Sequence, residues 1–186
     1  SAGHRGSRHC RIRHSENVLT GTIRKATRAD IPGIVRVVNA AYVVEAEFRL
    51  RGKRTDDVDV AAHLATGTFL LLEEGPELVG CVYVEAKGQQ GYFGMLSVDP
   101  SRQSGGHGKH LVAEAEAWCC ERGCNAMTIT VVNARTVLFP WYEKLGYGEI
   151  GREPFPQPER MTIPVEMVVM HKTLTPLAAT QGASNG

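Results

Sequence analysis

The chain has 186 residues, 42% of them hydrophobic and 22% charged, which fits one globular domain with its own core. Lysine plus arginine (21) almost cancels aspartate plus glutamate (20), so no global field draws the protein to nucleic acid or an anionic membrane. No apolar run approaches the roughly 18 residues of a membrane-spanning helix.

The ends differ from the middle. Residues 1–20 carry Arg5, Arg8, Arg11 and Arg13 with no acid before Glu16. They lack the amphipathic stripe of a transit peptide and read as a disordered basic arm. Residues 176–186 are small and polar and read as a disordered tail. The folded domain is expected over 21–175.

From there the pattern is regular. TIRKA (Thr22–Ala26) alternates as a strand, and Thr27 with Asp30 forms a capping box. Ile31, Ile34, Val35, Val38 and Tyr42 recur at helical spacing. EAEFRLRGKR (45–54) predicts a helix end and loop, and Thr55-Asp56-Asp57 opens a second helix to about Ala65. TFLLL (68–72) and LVGCVYVEA (78–86) form a hairpin across a Gly-Pro turn, and YFGMLSV (92–98) is the next strand. A helix with Leu111, Val112, Ala115, Trp118 and Cys119 on one face ends at Gly123. AMTITVV (126–132) alternates, VLFPWYEKL (137–145) is a short helix stopped at Gly146, and strands follow from Tyr147 and over Val165–Lys172. No linker or repeat divides the series, which predicts a mixed α/β sheet.

The five cysteines are an odd number, and adjacent Cys119 and Cys120 cannot face one partner. They read as reduced thiols, some buried, in a cytoplasmic protein. Cys120, Cys124, His107 and His110 match no zinc spacing, so no metal is expected.

The chemical signal is QSGGHGK, Gln103–Lys109, between a strand and the longest helix. Helix-initial N–H groups lack internal partners and the helix dipole is positive there. Glycines let a pyrophosphate approach closely. A Walker A loop fails, because His110 follows Lys109 and Gln103 stands where its first glycine belongs. A dinucleotide fingerprint fails at Leu111. Gln/Arg-x-x-Gly-x-Gly/Ala is satisfied by Gln103, Gly106 and Gly108, and a solvated glycine-rich helix entry is the bland alternative.

With MLSV-Asp99-Pro100, the QSGGHG loop, the helix ending in ERGC, TITVVN and then WYEKLGY, the chain resembles the GNAT superfamily of acyl-CoA-dependent N-acyltransferases over about Thr22–Leu174. The resemblance implies a mixed, mostly antiparallel six- to seven-stranded sheet with about four helices and a splayed central strand pair. It implies acetyl-CoA as cosubstrate, its pyrophosphate held by Gln103, Ser104, Gly105, Gly106, His107, Gly108 and Lys109. Leu96, Ser97 and Val98 would offer backbone groups to the pantetheine arm and thioester, and Asn133 would be a further cofactor contact. Tyr142 in WYEKLGY matches the family tyrosine that protonates the departing thiolate, whereas Trp141 reads as core.

The implied reaction is direct attack of a primary amine on the thioester through a tetrahedral oxyanion. Small-molecule amines are the first choice of acceptor and a protein amine the next, with Tyr42, Glu45 and Glu47 on the acceptor side. The alternative is a non-catalytic acyl-CoA sensor, because the strand position that often carries the family's glutamate is Gly94. Glu45, Glu47, Glu85 or water remain as bases. REPFPQPE (152–159) could wall the acceptor site. Expected partners are acetyl-CoA and an amine, without nucleic acid or membrane, in a monomer or homodimer.

Overall fold

The computed structural model describes residues 21–44 and 51–175. The basic arm, the tail, Glu45 and Glu47 lie outside the described residues.

The described chain forms β1 (Thr22–Lys25), α1 (Ile31–Val44), α2 (Asp57–Thr66), β2 (Thr68–Glu74), β3 (Glu77–Lys87), β4 (Gln90–Val98), α3 (His107–Cys120), β5 (Ala126–Val132), α4 (Leu138–Lys144), β6 (Gly148–Pro154) and β7 (Glu166–Thr173). The order is the one expected. Thr27 caps a single 3-10 turn, Arg28–Asp30, that runs into α1. The Asp30 carboxylate accepts from the Thr27 N–H at 2.7 Å, closing that start. β4 begins two residues earlier than its apolar run, because a two-residue loop at Gly88 (φ +59°) and Gln89 lets Lys87 pair with Gln90.

All strands form one seven-stranded sheet ordered β1-β2-β3-β4-β5-β7-β6. Its neighbours are antiparallel except β4 and β5, which run parallel. A parallel pair needs a crossover, and α3 supplies it. The apolar run of β2 is continuous rather than alternating because both of its faces are covered. Leu70 and Leu72 pack with Leu111, Val112, Ala115 and Cys119 of α3. Phe69 and Leu71 pack with Ile34, Val37, Val38 and Val60 of α1 and α2. Each such side chain stabilises the fold by about 1.5–3 kcal/mol on burial.

Two features open the centre of the sheet. β4 pairs with β5 only at Gln90↔Ala126, Gly91↔Met127 and Tyr92↔Thr128; beyond these β5 continues on β7 alone. Against β3, the register steps from Tyr83↔Gly94 to Cys81↔Ser97, leaving Met95 and Leu96 opposite Val82. Met95 has φ +50°. This is a β-bulge, which bends β4 away from β5. Bulge and splay together are the implied central gap.

No helix among the described residues is long and apolar enough to cross a membrane.

Candidate active site

The loop into α3 is built from behind. A 3-10 turn, Pro100–Gly105, follows Asp99, whose carboxylate accepts from the Ser101 N–H at 2.9 Å and hydroxyl at 2.6 Å. Arg102 bonds to Glu74 and reaches Glu77 at 3.3 Å. Gln103 Nε2 donates to the Val98 carbonyl at 3.3 Å. The His107 ring is buried, with Nε2 3.2 Å from Glu74 Oε1. The side chains of Arg102, Gln103 and His107 therefore tie the loop to the β2–β3 turn and to β4. What the loop offers a ligand is its main chain at the exposed residues Ser104, Gly105 and Gly106.

Gly106 is the N-cap of α3 at φ +78°, ψ +7°, and makes no side-chain cap. An L-residue pays for that left-handed conformation; glycine does not. The helix ladder starts with His110 N donating to the Gly106 carbonyl at 3.1 Å, so the N–H groups of His107, Gly108 and Lys109 come before it. The first turn holds no acidic residue, and the dipole is uncompensated by side-chain charge of the wrong sign. A helix start of this kind suits an anion, and the segment is called the cradle below.

Tyr142 lies in α4, whose Trp141 approaches the start of α3. A Cβ on Gly108 would be 3.6 Å from the ring of its neighbour Trp141. Tyr142 is 7% exposed, with ring centroids 4.8 Å from Trp141, 6.2 Å from Phe93 of β4 and 6.0 Å from Tyr147. Tyr147 donates to Glu116 at 2.7 Å, and Lys172 Nζ lies 2.8 Å from both Glu116 oxygens, fixing α4 against α3 and β7. The structure thus sets Tyr142 against Phe93 of β4 and ties the loop to Val98 through Gln103. Ser97 is buried, and its hydroxyl donates to the Met95 carbonyl at 3.1 Å, spanning the bulge.

Asn133 has a structural duty: its side-chain carbonyl accepts from the Glu166 N–H at 3.1 Å, and its own N–H donates to the Glu166 carbonyl at 2.9 Å. Glu85 accepts from Tyr83 at 2.6 Å and pairs with Lys87 at 2.6 Å. Lys87 first, and then Tyr83, hold its carboxyl below the usual range, which weakens it as a base. Among the described residues, no three or more His, Cys, Asp or Glu gather where they could hold a metal ion.

Tyr42 of α1 has Arg54 5.1 Å and Arg135 5.7 Å from its ring centroid. Burial raises the Tyr92 phenol above its ordinary value, with Thr130 of β5 and Arg54 acting the other way. Nothing in the periodicity marks Arg135 or Tyr92 as neighbours of Tyr42: one lies in a turn after β5 and the other reads as strand core.

A model of the acetyltransferase (GNAT) family matches residues 38–147, more than half of the chain. The chain belongs to the GNAT acetyltransferase family.

Solved structures agree on the fold. The ribosomal-protein-S18-alanine N-acetyltransferase of Escherichia coli is 16% identical with TM-score 0.67, over 83% of this chain and 94% of that one. A GNAT family acetyltransferase from Elizabethkingia anophelis, solved with acetyl-CoA bound, is 14% identical with TM-score 0.67, over 83% and 99%. The ribosomal-protein-alanine N-acetyltransferase of Brucella melitensis is 19% identical with TM-score 0.65, over 82% and 99%. A search of curated proteins finds no match.

The cradle of this GNAT protein fits the diphosphate of acetyl-CoA. It has main-chain donors at a helix start and no competing carboxylate in the first turn, and at Gly105 a Cβ would crowd His107 Nε2 at 3.0 Å. A surface depression of about 430 Å³ lined by Arg36, Glu77, Asp99 and Arg102 borders the loop elsewhere and holds none of these residues.

Proposed function

We propose that this GNAT protein moves the acetyl group of acetyl-CoA to a primary amine, a small molecule in the first place and a protein amine in the second. The observation that carries the reading is the start of α3, without a side-chain cap or an acidic residue in its first turn, after a bulged β4 that leaves β5 beyond Tyr92. Acetyl-CoA supplies the activated acyl group as a thioester.

The chain's residues divide the work. The N–H groups at Gly106–Lys109 hold the diphosphate, while Leu96, Ser97 and Val98 offer main-chain groups to the pantetheine arm and the thioester carbonyl. A donor aimed at the developing oxyanion is the largest single catalytic contribution in this class of reaction. The amine nitrogen forms the new C–N bond, the C–S bond breaks, and Tyr142 gives its proton to the departing sulfur. The amine's own proton leaves to water or to Glu45 or Glu47, because Gly94 supplies no carboxylate and Glu85 is a poor base. Products are the acetamide and free CoA.

The test has two parts. Calorimetry should show stoichiometric binding of acetyl-CoA, and an amine panel should release CoA above background. Binding without turnover of any amine would leave an acyl-CoA sensor instead; absence of binding would remove both readings.

A further inference from the structure

The hydroxyl of Tyr92 stands where β4 lacks a side chain. Tyr92 is the last residue of β4 that pairs with β5, opposite Thr128, so the splay begins at its backbone. Its ring runs along the strand toward the bulge: a Cβ on Gly94 would lie 2.7 Å from the Tyr92 hydroxyl oxygen. A strand glycine leaves room for a close approach, and here the phenol takes it. Met95 and Leu96, the bulged pair, come next. At about 3.3 Å of rise per residue, the hydroxyl stands roughly 3–7 Å along the strand from them. Tyr92 packs with Tyr83 and the α1 and α2 residues, whereas Phe93 packs with Tyr142 and the α3 residues. The two tyrosines therefore lie on opposite faces of β4. Glu85 stands opposite Tyr92 in β3, but its carboxylate is engaged by Tyr83 and Lys87, at 2.6 Å each. Thr130 and Arg54 also act on the phenol; burial outweighs them and keeps it un-ionised.

We infer that the Tyr92 hydroxyl orients the attacking amine, in the place of the carboxylate that β4 lacks at Gly94. This rests on the acetyltransferase reading. A neutral phenol is no base for an ammonium ion, but its oxygen accepts an N–H from the neutral amine. That bond, about 3 Å long, spans the short stretch of strand between the hydroxyl and the bulge, where the thioester is proposed to lie. It aims the nitrogen lone pair at the carbonyl carbon, which is a gain in orientation rather than in acid–base chemistry. Tyr92 keeps its own proton throughout. The C–N bond forms on its face of β4, the C–S bond breaks toward Tyr142 on the other face, and the surplus nitrogen proton leaves to the acceptors named above.

The experiment compares Tyr92→Phe and Tyr83→Phe with the wild type, by CoA release from acetyl-CoA on the best amines of the panel. Tyr92→Phe keeps the ring over Gly94 and removes one oxygen. Its kcat should fall about tenfold or more on every amine, because the lost bond is to the nitrogen they share. The KM for acetyl-CoA should hold. Tyr83→Phe removes a phenol of the same aromatic cluster, 6.3 Å away between ring centroids, together with its bonds to Thr66 and Glu85. Its kcat should stay within about twofold of the wild type, which separates orientation of the amine from loss of packing. Acetyl-CoA calorimetry verifies that each variant is folded. An unchanged kcat in Tyr92→Phe, equal losses in the two variants, or a loss carried by the KM for acetyl-CoA would each overturn the inference and leave the transferase standing, with the phenol as filler over the glycine. Wild-type protein that binds acetyl-CoA and acetylates no amine removes the transferase reading and this role with it.

Discussion

A Cβ added to Gly94 would lie 2.7 Å from the Tyr92 hydroxyl and 3.2 Å from its ring carbons. The Tyr92 side chain folds along β4 over the position where the family resemblance would put a carboxylate. Gly94→Ala should therefore displace the ring, costing about 1–3 kcal/mol as overpacking does. Urea denaturation measures this. Gly94→Glu should be destabilised as well and gain no activity; a faster Gly94→Glu enzyme would show that the glycine is a simple loss of the base.

Tyr142→Phe keeps the ring in its cluster with Phe93, Trp141 and Tyr147 and removes only the proton donor. The melting temperature should barely move and the dissociation constant for acetyl-CoA should hold. kcat should fall by about 10²-fold or more, the usual size of an acid–base contribution. An unchanged kcat would confine Tyr142 to packing.

Gly106→Ala places a methyl on the cradle at a left-handed residue, φ +78°. About 1 kcal/mol of stability should be lost from the backbone alone. Acetyl-CoA binding, followed by calorimetry, should weaken more than tenfold. A variant equally destabilised at a remote site provides the comparison.

Glu116 ties α3 to both Tyr147 and Lys172 at 2.7 and 2.8 Å. Glu116→Ala leaves both partners without their carboxylate in a half-buried setting and should cost about 1–3 kcal/mol. Tyr147→Phe leaves the Lys172–Glu116 pair intact and should cost less. Burial first, and then the Glu116 charge, raise the Tyr147 phenol well above its ordinary value, so an absorbance titration should show it un-ionised where free tyrosine ionises.

Arg24 bonds both Asp30 oxygens, at 2.7 and 2.9 Å, and Glu73 at 2.7 Å, joining β1, β2 and the start of α1. The Arg24 hydrogen bonds lead in holding the Asp30 carboxyl below the carboxylate range. A folded pKa below the unfolded one adds stability that is present above about pH 4 and is lost as pH falls further. Asp30→Asn should cost about 1 kcal/mol at neutral pH, the size of a lost cap, with the difference shrinking in acid. Denaturant midpoints at several pH values decide it.

Much of this protein is legible from neighbours along the chain. The strand and helix order follows from apolar spacing. The α3 cradle follows from QSGGHG ahead of a helix, since unpaired amides are a property of any helix start. WYEKLGY predicts a short helix, and α4 forms with Pro140 in its first turn, where a missing N–H costs nothing. Side-chain directions were less visible. Gln103 and His107 belong to the loop by motif, yet their side chains bond Val98 and Glu74 behind it. Asn133 reads as a cofactor contact, and its carbonyl closes the β5–β7 ladder.

What local pattern determined, then, is the set of elements, their order and the uncapped helix start, because each depends on groups a few residues apart. What only tertiary packing decided is the gap and the surroundings of Tyr42. The bulge at Met95 and Leu96 exists only against Val82, the splay only where β5 leaves β4 for β7, and the Tyr42, Arg54 and Arg135 cluster only once α1 and the turn after β5 stand on either side of it. Charge and aromatic character are written in single residues. Their convergence depends on contacts between segments distant along the chain, which no local periodicity records.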